Sequence, residues 1–219
     1  MRKFLPLLQN IPLFSGIEAE NIPTVLSCLG AASRSYAREE AVFHAGGRAE
    51  ALGVVLTGQV QVFREDSEGN RHILAEMGPG DVFAEAYACA RTSRLPVSVW
   101  TVQESDLLLL NVSRVISLCP SACSFHTRLV GNLLSILAEK SIRLNEKIDH
   151  LSRRTIREKL LSYLETRADR EGMRTFIIPF NRQELADYLC VDRSALSREL
   201  GILRREGVLD FQRQRFTLL

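Results

Sequence analysis

No run of about eighteen apolar residues occurs anywhere among the 219, which excludes a membrane-spanning helix. Cysteine is scarce. The five present (Cys28, Cys89, Cys119, Cys123 and Cys190) are odd in number and irregular in spacing, unlike a disulfide framework, so a reducing cytoplasm is the expected setting. Met1 to Phe14 carries Arg2 and Lys3, but Pro6, Gln9, Asn10 and Pro12 interrupt the apolar core that a secretory leader would need. Histidine is equally sparse. A metal-dependent enzyme on a cupin-like barrel needs a His-x-His pair with a nearby carboxylate, and His72 stands alone. With no Ser-His-Asp arrangement, Walker loop or Gly-rich dinucleotide fingerprint either, catalysis is not expected.

What is present divides along the chain. The net charge of +2 hides an asymmetry, because residues 150–219 hold 14 Lys and Arg against 10 Asp and Glu, whereas residues 1–149 hold 14 against 16. A surplus of four charges supports nucleic-acid binding only beside a motif that can use it. From Val42 to about Leu110 the chain reads as short strands: Leu52–Gly58, Gln59–Phe63, His72–Ala75, Val97–Val102 and Leu107–Leu110. Asp66–Asn70 and Met77–Asp81 place Gly, Pro, Asn and Asp where the backbone reverses. Many short strands with such turns predict a barrel or sandwich. Val60 and Val62 alternate with Gln59 and Gln61, but Phe63 falls on the polar side, which leaves the buried face of that strand open.

After Pro120 the pattern becomes a long helix, from about Ser121 to Leu151, that would span roughly 45 Å. Val130, Leu133, Leu137, Ser141, Leu144, Ile148 and Leu151 recur at steps of three and four, a heptad-like seam, and Phe125, Leu129 and Ile136 form a second apolar set beside it. One face is expected to pack on the barrel and the other, through Val130, Leu133, Leu137, Leu144 and Ile148, on the same helix of a second copy. A single amphipathic helix buried within a monomer is the alternative.

The C-terminal third carries the informative motif. Asn181 is a predicted N-cap for a short helix whose Leu185, Ala186 and Leu189 share one side; Cys190-Val191 makes the turn; and Asp192 caps a second helix, Arg193–Arg205. In that helix Leu196, Leu200 and Leu203 face inward while Arg193, Ser194, Ser197 and Arg198 face outward. Gly207 ends it, and Val208–Phe211 with Phe216–Leu219 reads as a hairpin around a basic turn. The whole is a winged helix-turn-helix. An exposed helix fits the major groove, and an arginine at its N-terminal end matches the O6 and N7 acceptors of guanine, a role that falls to Arg193. Arg182, Gln183, Arg213 and Arg215 are placed for phosphates. Arg204 and Arg205 read as a surface pair favoured by the helix dipole.

Arg182–Leu189 and Asp192–Leu200 resemble the DNA-binding signature of the CRP/FNR regulators, and Gly58–Val62, Gly69 and Gly80-Asp81 resemble their cyclic-nucleotide-type barrel. The resemblance implies an α+β chain: an N-terminal antiparallel β-barrel of jelly-roll (double-stranded β-helix) type in residues 1–120, a long dimerisation helix in 121–151, and a winged helix-turn-helix in 152–219. It implies a cytoplasmic, homodimeric transcription regulator, without contact to membrane, that binds a palindromic double-stranded operator under control of an unidentified small-molecule or redox signal. It places Asn181, Arg182 and Gln183 at phosphates and Arg193, Ser194, Ser197 and Arg198 at bases. Two departures matter. Ser194 stands where many members have glutamate, which alters the expected operator, and Cys190 replaces the usual turn glycine.

At the sensor end a cyclic-AMP binder would show Gly-Glu and, about ten residues on, Arg-Ser or Arg-Thr. This chain has Ala84-Glu85 and then Arg94-Leu95-Pro96, which disfavours cyclic AMP. No cysteine precedes Cys28, which disfavours an iron–sulfur cluster. The effector is thus unknown, and Glu85, Arg91, Arg94, Phe125 and Leu129 are the candidate pocket. Cys119, Cys123 and His126 near the start of the long helix suggest a metal- or haem-dependent gas sensor as the alternative, but Pro120 divides them and buried free cysteine is common, so no metal site is assigned. His44, His72 and His150 are isolated in sequence and read the same way.

Overall fold

The computed structural model describes residues 2–66, 68, 71–90, 94–117 and 124–219. Expectations that rest on Gly69, Asn70, Arg91, Cys119, Pro120 and Cys123 lie outside those residues. The chain forms two compact units, Met1–Glu139 and Lys140–Leu219, and the division falls inside the long helix. Among the described residues no helix is long and apolar enough to cross a membrane.

The first unit opens with two short helices, α1 (Leu5–Asn10) and α2 (Ile22–Cys28), each with proline in its first turn, where a missing N–H breaks no helical bond. Eight strands follow: β1 (Ala32–Tyr36), β2 (Ala41–Phe43), β3 (Ala51–Val55), β4 (Val60–Glu65), β5 (Arg71–Met77), β6 (Val82–Phe83), β7 (Ser98–Thr101) and β8 (Ser105–Asn111). A one-turn helix α3 (Glu85–Cys89) lies between β6 and β7, and α4 (Val112–Ile116) and α5 (Ser124–Ser152) follow β8. The strands form two four-stranded antiparallel sheets, ordered β1-β8-β3-β6 and β2-β7-β4-β5, a jelly-roll of two sheets rather than a closed barrel.

Between the sheets lie Tyr36, Val55, Val60, Phe83, Val99 and Leu107. The other face of β3 and β8 is covered as well, since Leu52, Val54, Leu108 and Leu110 pack with the N-terminal helices and with Leu129 and Leu133 of α5. Burial on both faces is why Leu107–Leu110 runs apolar without alternation. The anomaly of Phe63 has a cross-strand cause: β4 pairs with β7 without a break, so Phe63 keeps the face of Gln61, and there the Trp100 ring at 6.1 Å and the Arg71 guanidinium at 4.5 Å cover it, leaving it 1% exposed.

Gly53 sits opposite Phe83 across β3 and β6, and a methyl group there would stand 2.0 Å from the Phe83 ring. The ring lies on the bare backbone. Gly53→Ala is expected to destabilise the sensor unit by about 1–3 kcal/mol, because close-packed neighbours cannot absorb the overlap, and the measurement is a lowered urea midpoint at unchanged m.

The second unit holds the end of α5, then α6 (Ile156–Glu171), β9 (Thr175–Ile177), α7 (Arg182–Leu189), α8 (Arg193–Arg205), β10 (Leu209–Gln212) and β11 (Arg215–Leu218). The hairpin gains a third strand, in the order β10-β11-β9. Helix starts are strongly specified, since Thr155 with Glu158 and Asn181 with Glu184 each form a capping box. Leu160, Leu164, Leu185, Ala186, Leu189, Leu196, Leu200, Leu203, Leu209 and Phe216 are all fully buried. The absence of a side chain beyond Cβ at Ala186 lets α7 and α8 approach closely.

Candidate nucleic-acid interface

The reading surface is built from the caps outward. Asn181 Oδ1 accepts from the Gln183 and Glu184 amides, while Glu184 accepts from the Asn181 amide at 2.7 Å, so α7 begins at a fixed angle. It ends at Cys190, whose φ of 52° and ψ of 53° are left-handed, the backbone that a glycine adopts without strain. Cys190→Gly is therefore expected to raise stability by up to about 1 kcal/mol, seen as a higher denaturant midpoint.

Asp192 then caps α8, accepting from the Ala195 amide at 2.8 Å and from Ser194 Oγ at 2.7 Å, bonds that hold its carboxyl below the usual carboxylate range. Ser197 Oγ donates to the Arg193 carbonyl at 2.9 Å. Arg193, Ser194, Ser197 and Arg198 are all exposed on one face of α8, above a back wall in which Leu196, Leu200 and Leu203 are fully buried. From behind, Arg157 of α6 reaches Glu206, at 2.6 Å, and Glu199, at 3.8 Å, and so fastens the far end of the helix. No pattern in the sequence points to Arg157, because its partners come from another element.

The hairpin stands beside this helix with Arg213 and Arg215 exposed and Arg213 at a φ of 55° in its turn. Phe211 joins it to both helices. The Arg182 guanidinium lies 5.0 Å from the Phe211 ring centre and 5.7 Å from that of Phe216, and Arg204 lies 5.5 Å from Phe211 while pairing with Asp210 at 2.8 Å. The pair Arg204-Arg205 is thus not merely a surface pair: Arg204 ties the hairpin down. Arg182 is half-buried beneath the hairpin rather than free at the helix start, and burial lowers its pKa.

On α5 the seam needs one correction. Leu133 is 2% exposed inside the core of its own unit, whereas Leu134 is 62% exposed. At 100° per residue, Val130, Leu134, Leu137, Ser141, Leu144 and Ile148 share one stripe about 80° wide, stepping by four and three. Leu144 and Ile148 are 62% and 64% exposed on it.

The candidate effector residues are dispersed. Glu85 is buried at the start of α3, Arg94 is exposed, and Leu129 is fully buried in the sensor core with Phe125 against it, so Leu129 is a packing residue and not a pocket wall. A cleft of about 540 Å³ lies instead between the N-terminal segment and α5, lined by Asn10, Pro12, Asn132, Ser135, Ile136 and Glu139 among others. His126 is buried and its Nε2–H donates to the Val115 carbonyl at 2.7 Å, a structural bond. Among the described residues no three metal-binding side chains converge.

Residues 33–121 match the family described as cyclic nucleotide-binding domain, and residues 158–219 match the Crp-like helix-turn-helix domain. The chain is similar to the cyclic AMP receptor protein of Thermus thermophilus, 27% identical over 202 residues, covering 92% of this chain and 89% of that one. It is also similar to the transcriptional activator protein FnrL of Cereibacter sphaeroides, 26% identical over 196 residues, covering 85% of this chain and 75% of that one. Among solved structures it resembles the Thermus thermophilus catabolite activator protein, with a TM-score of 0.54 and 25% identity over 95% of this chain and 93% of that one.

Proposed function

Because the chain belongs to the CRP/FNR family of transcription regulators, we propose that it works in the cytoplasm as a homodimer reading a palindromic DNA operator under control of a small-molecule signal. The observation that carries this reading is the outer face of α8. Two arginines and two serines are exposed above an all-leucine back, next to a basic hairpin, and that is the shape and chemistry of a major-groove reader. Arg193 bonds guanine; Ser194, Ser197 and Arg198 complete the base contacts; and Asn181, Gln183, Arg213 and Arg215 set register on phosphates. Arg182 divides its guanidinium between the Phe211 ring and the backbone of the operator. In this scheme residues 1–120 sense, 121–151 pair the two copies and 152–219 read.

The exposed stripe on α5 supports the dimer. Two-fold symmetry then requires half-site centres about 34 Å apart. Cyclic AMP, named for the Thermus relative, is not carried over. Leu95 stands where an arginine would hold the cyclic phosphate, is 3% exposed, and packs in the apolar core, while the place of the glycine is taken by Ala84 at a φ of 60°. The residues present do not fit that ligand.

The experiment is selection of bound duplexes from a random pool by the full chain. Inverted repeats with that spacing are the expected result, with affinity falling steeply with salt as phosphate contacts release counterions. Recovery of no enriched sequence, or binding indifferent to salt, would return the helix pair to a protein-contacting role.

A further inference from the structure

Resting on the reading above, we infer that His150 is a positioning residue for DNA recognition: a titratable clamp that holds the last turns of α5 against the first helix of the reader and releases it in acid. His150 is the sole histidine in residues 140–219 and is 2% exposed. Its ring stands edge-on to Tyr163 of α6, with centroids 5.8 Å apart, and 6.5 Å from Tyr188 of α7; Nδ1 is 2.8 Å from Ser162 Oγ. Tyr163 and Tyr188 are themselves 5.3 Å apart, and Phe180 closes the cluster at 4.9 Å from Tyr188. An isolated core histidine needs none of this. Here one ring touches both helices that follow α5, and one of them is the first helix of the helix-turn-helix.

The charges around it brace the same joint. From α5, Glu146 pairs with Arg170 of α6, Lys147 lies 5.0 Å from the centre of the Tyr188 ring, and Asp149 accepts from Ser162 and pairs with Arg153. The groups facing the imidazole are therefore Glu146, Lys147, Asp149 and Arg153 on its own side, Tyr163 and Arg170 on α6, and Tyr188 on α7. Burial holds the ring below the ordinary histidine pKa, opposed by Asp149 and Glu146 and assisted by Arg153 and Arg170. Burial also pushes Tyr163 up to about 12, so neither phenol competes for the proton near neutrality.

The sign follows. A group whose docked pKa is depressed contributes fully above its ordinary value, about 6.5 for histidine, and that contribution is lost as pH falls toward the docked value. Protonation places a cation between two phenol rings and frees α7 from α5. Ordinary titration of basic groups runs the other way, since added positive charge strengthens DNA binding. Weakening in acid is thus the signature of the clamp.

The test uses the full chain and a duplex recovered from the random pool, with affinity measured by anisotropy at fixed salt from pH 7.5 to 5.5, beside histidine-ring NMR. Wild type is expected to weaken about threefold to tenfold across that range, and His150→Phe, which keeps a ring but cannot titrate, by less than about twofold. The ring resonance missing from the variant is expected to titrate below the ordinary value. Parallel affinity profiles for the two proteins, or a ring titrating at or above the ordinary value, would overturn the clamp. Should the phenylalanine variant not fold, Tyr188→Ala removes one wall and is expected to raise the ring's pKa toward the ordinary value, an unchanged titration again counting against it. If no duplex is recovered at all, the DNA-binding reading fails, and the ring titration still decides whether the clamp exists.

Discussion

Leu144→Glu with Ile148→Glu is expected to yield a folded monomer whose affinity for a palindromic duplex is lower by about a hundredfold or more. Both side chains are more than 60% exposed in one chain, so glutamate there meets water and the protomer loses no more than about 0.5 kcal/mol. In a pair the same positions face each other along the stripe, and four carboxylates brought together apart from water would drive the helices apart. Two linked readers gain a factor of about 10² to 10⁴ over one, because the second half-site binds at high effective concentration, and the monomer forfeits it. Sedimentation velocity reports the state, anisotropy the affinity, and thermal unfolding the integrity of the protomer. Leu133→Glu is the internal contrast. Leu133 is 2% exposed, so a carboxylate there is buried without a partner and unfolds the sensor by several kcal/mol instead of dissociating a dimer. If the double variant stayed dimeric, the stripe would not be the pairing surface.

The second large effect belongs to Arg193→Ala. Arg193 is the first residue after the Asp192 cap, exposed, on a helix whose leucine back and Arg157 clasp fix its orientation. A bidentate arginine contributes about 1–3 kcal/mol of discrimination at one base pair. Selection with the variant is expected to recover the same operator with a single position relaxed in each half-site, all other positions keeping their preference. Arg213, on the hairpin turn, is the control, since removing a phosphate-binding charge there weakens every sequence alike and lowers the salt slope by about one. An unchanged base preference in Arg193→Ala would move base reading to Arg198.

The parts of the fold legible in the sequence are those whose signals are local. Helix α8 runs from Arg193 to Arg205 as its pattern predicts, because Asp192 and Gly207 mark its ends and three leucines at steps of four and three mark its back. Strands β3, β4, β5, β7 and β8 are legible from turns and apolar runs, whereas the two-residue β6 (Val82–Phe83) is too short to show a pattern. Strand β1 is not, since only Tyr36 of its five residues is buried and no alternation shows. Phe63 defeats the alternation because it is buried on the polar-looking face by Trp100 and Arg71, which come from neighbouring strands and leave no mark in the sequence of β4. Leu133 falls on the other face than its spacing suggests for a different reason: α5 carries two apolar stripes side by side, and Leu133 and Leu134 differ by one step of 100°, which spacing alone does not apportion between them. Interactions that cross elements, such as Arg157 with Glu199 and Glu206, or His150 with Tyr163 and Tyr188, have no signature along the chain at all.

The stacking of Phe211 between Arg182 and Arg204 bears on how the half-site is met. A hairpin already fastened to both helices arrives at the duplex as one rigid die, with little loop motion left to freeze on encounter. On the proposed reading Arg213 and Arg215 would then land at a fixed distance from α8, and phosphates displaced by an altered groove width would be missed rather than followed. Operator choice would then extend to the shape of flanking DNA that no side chain touches.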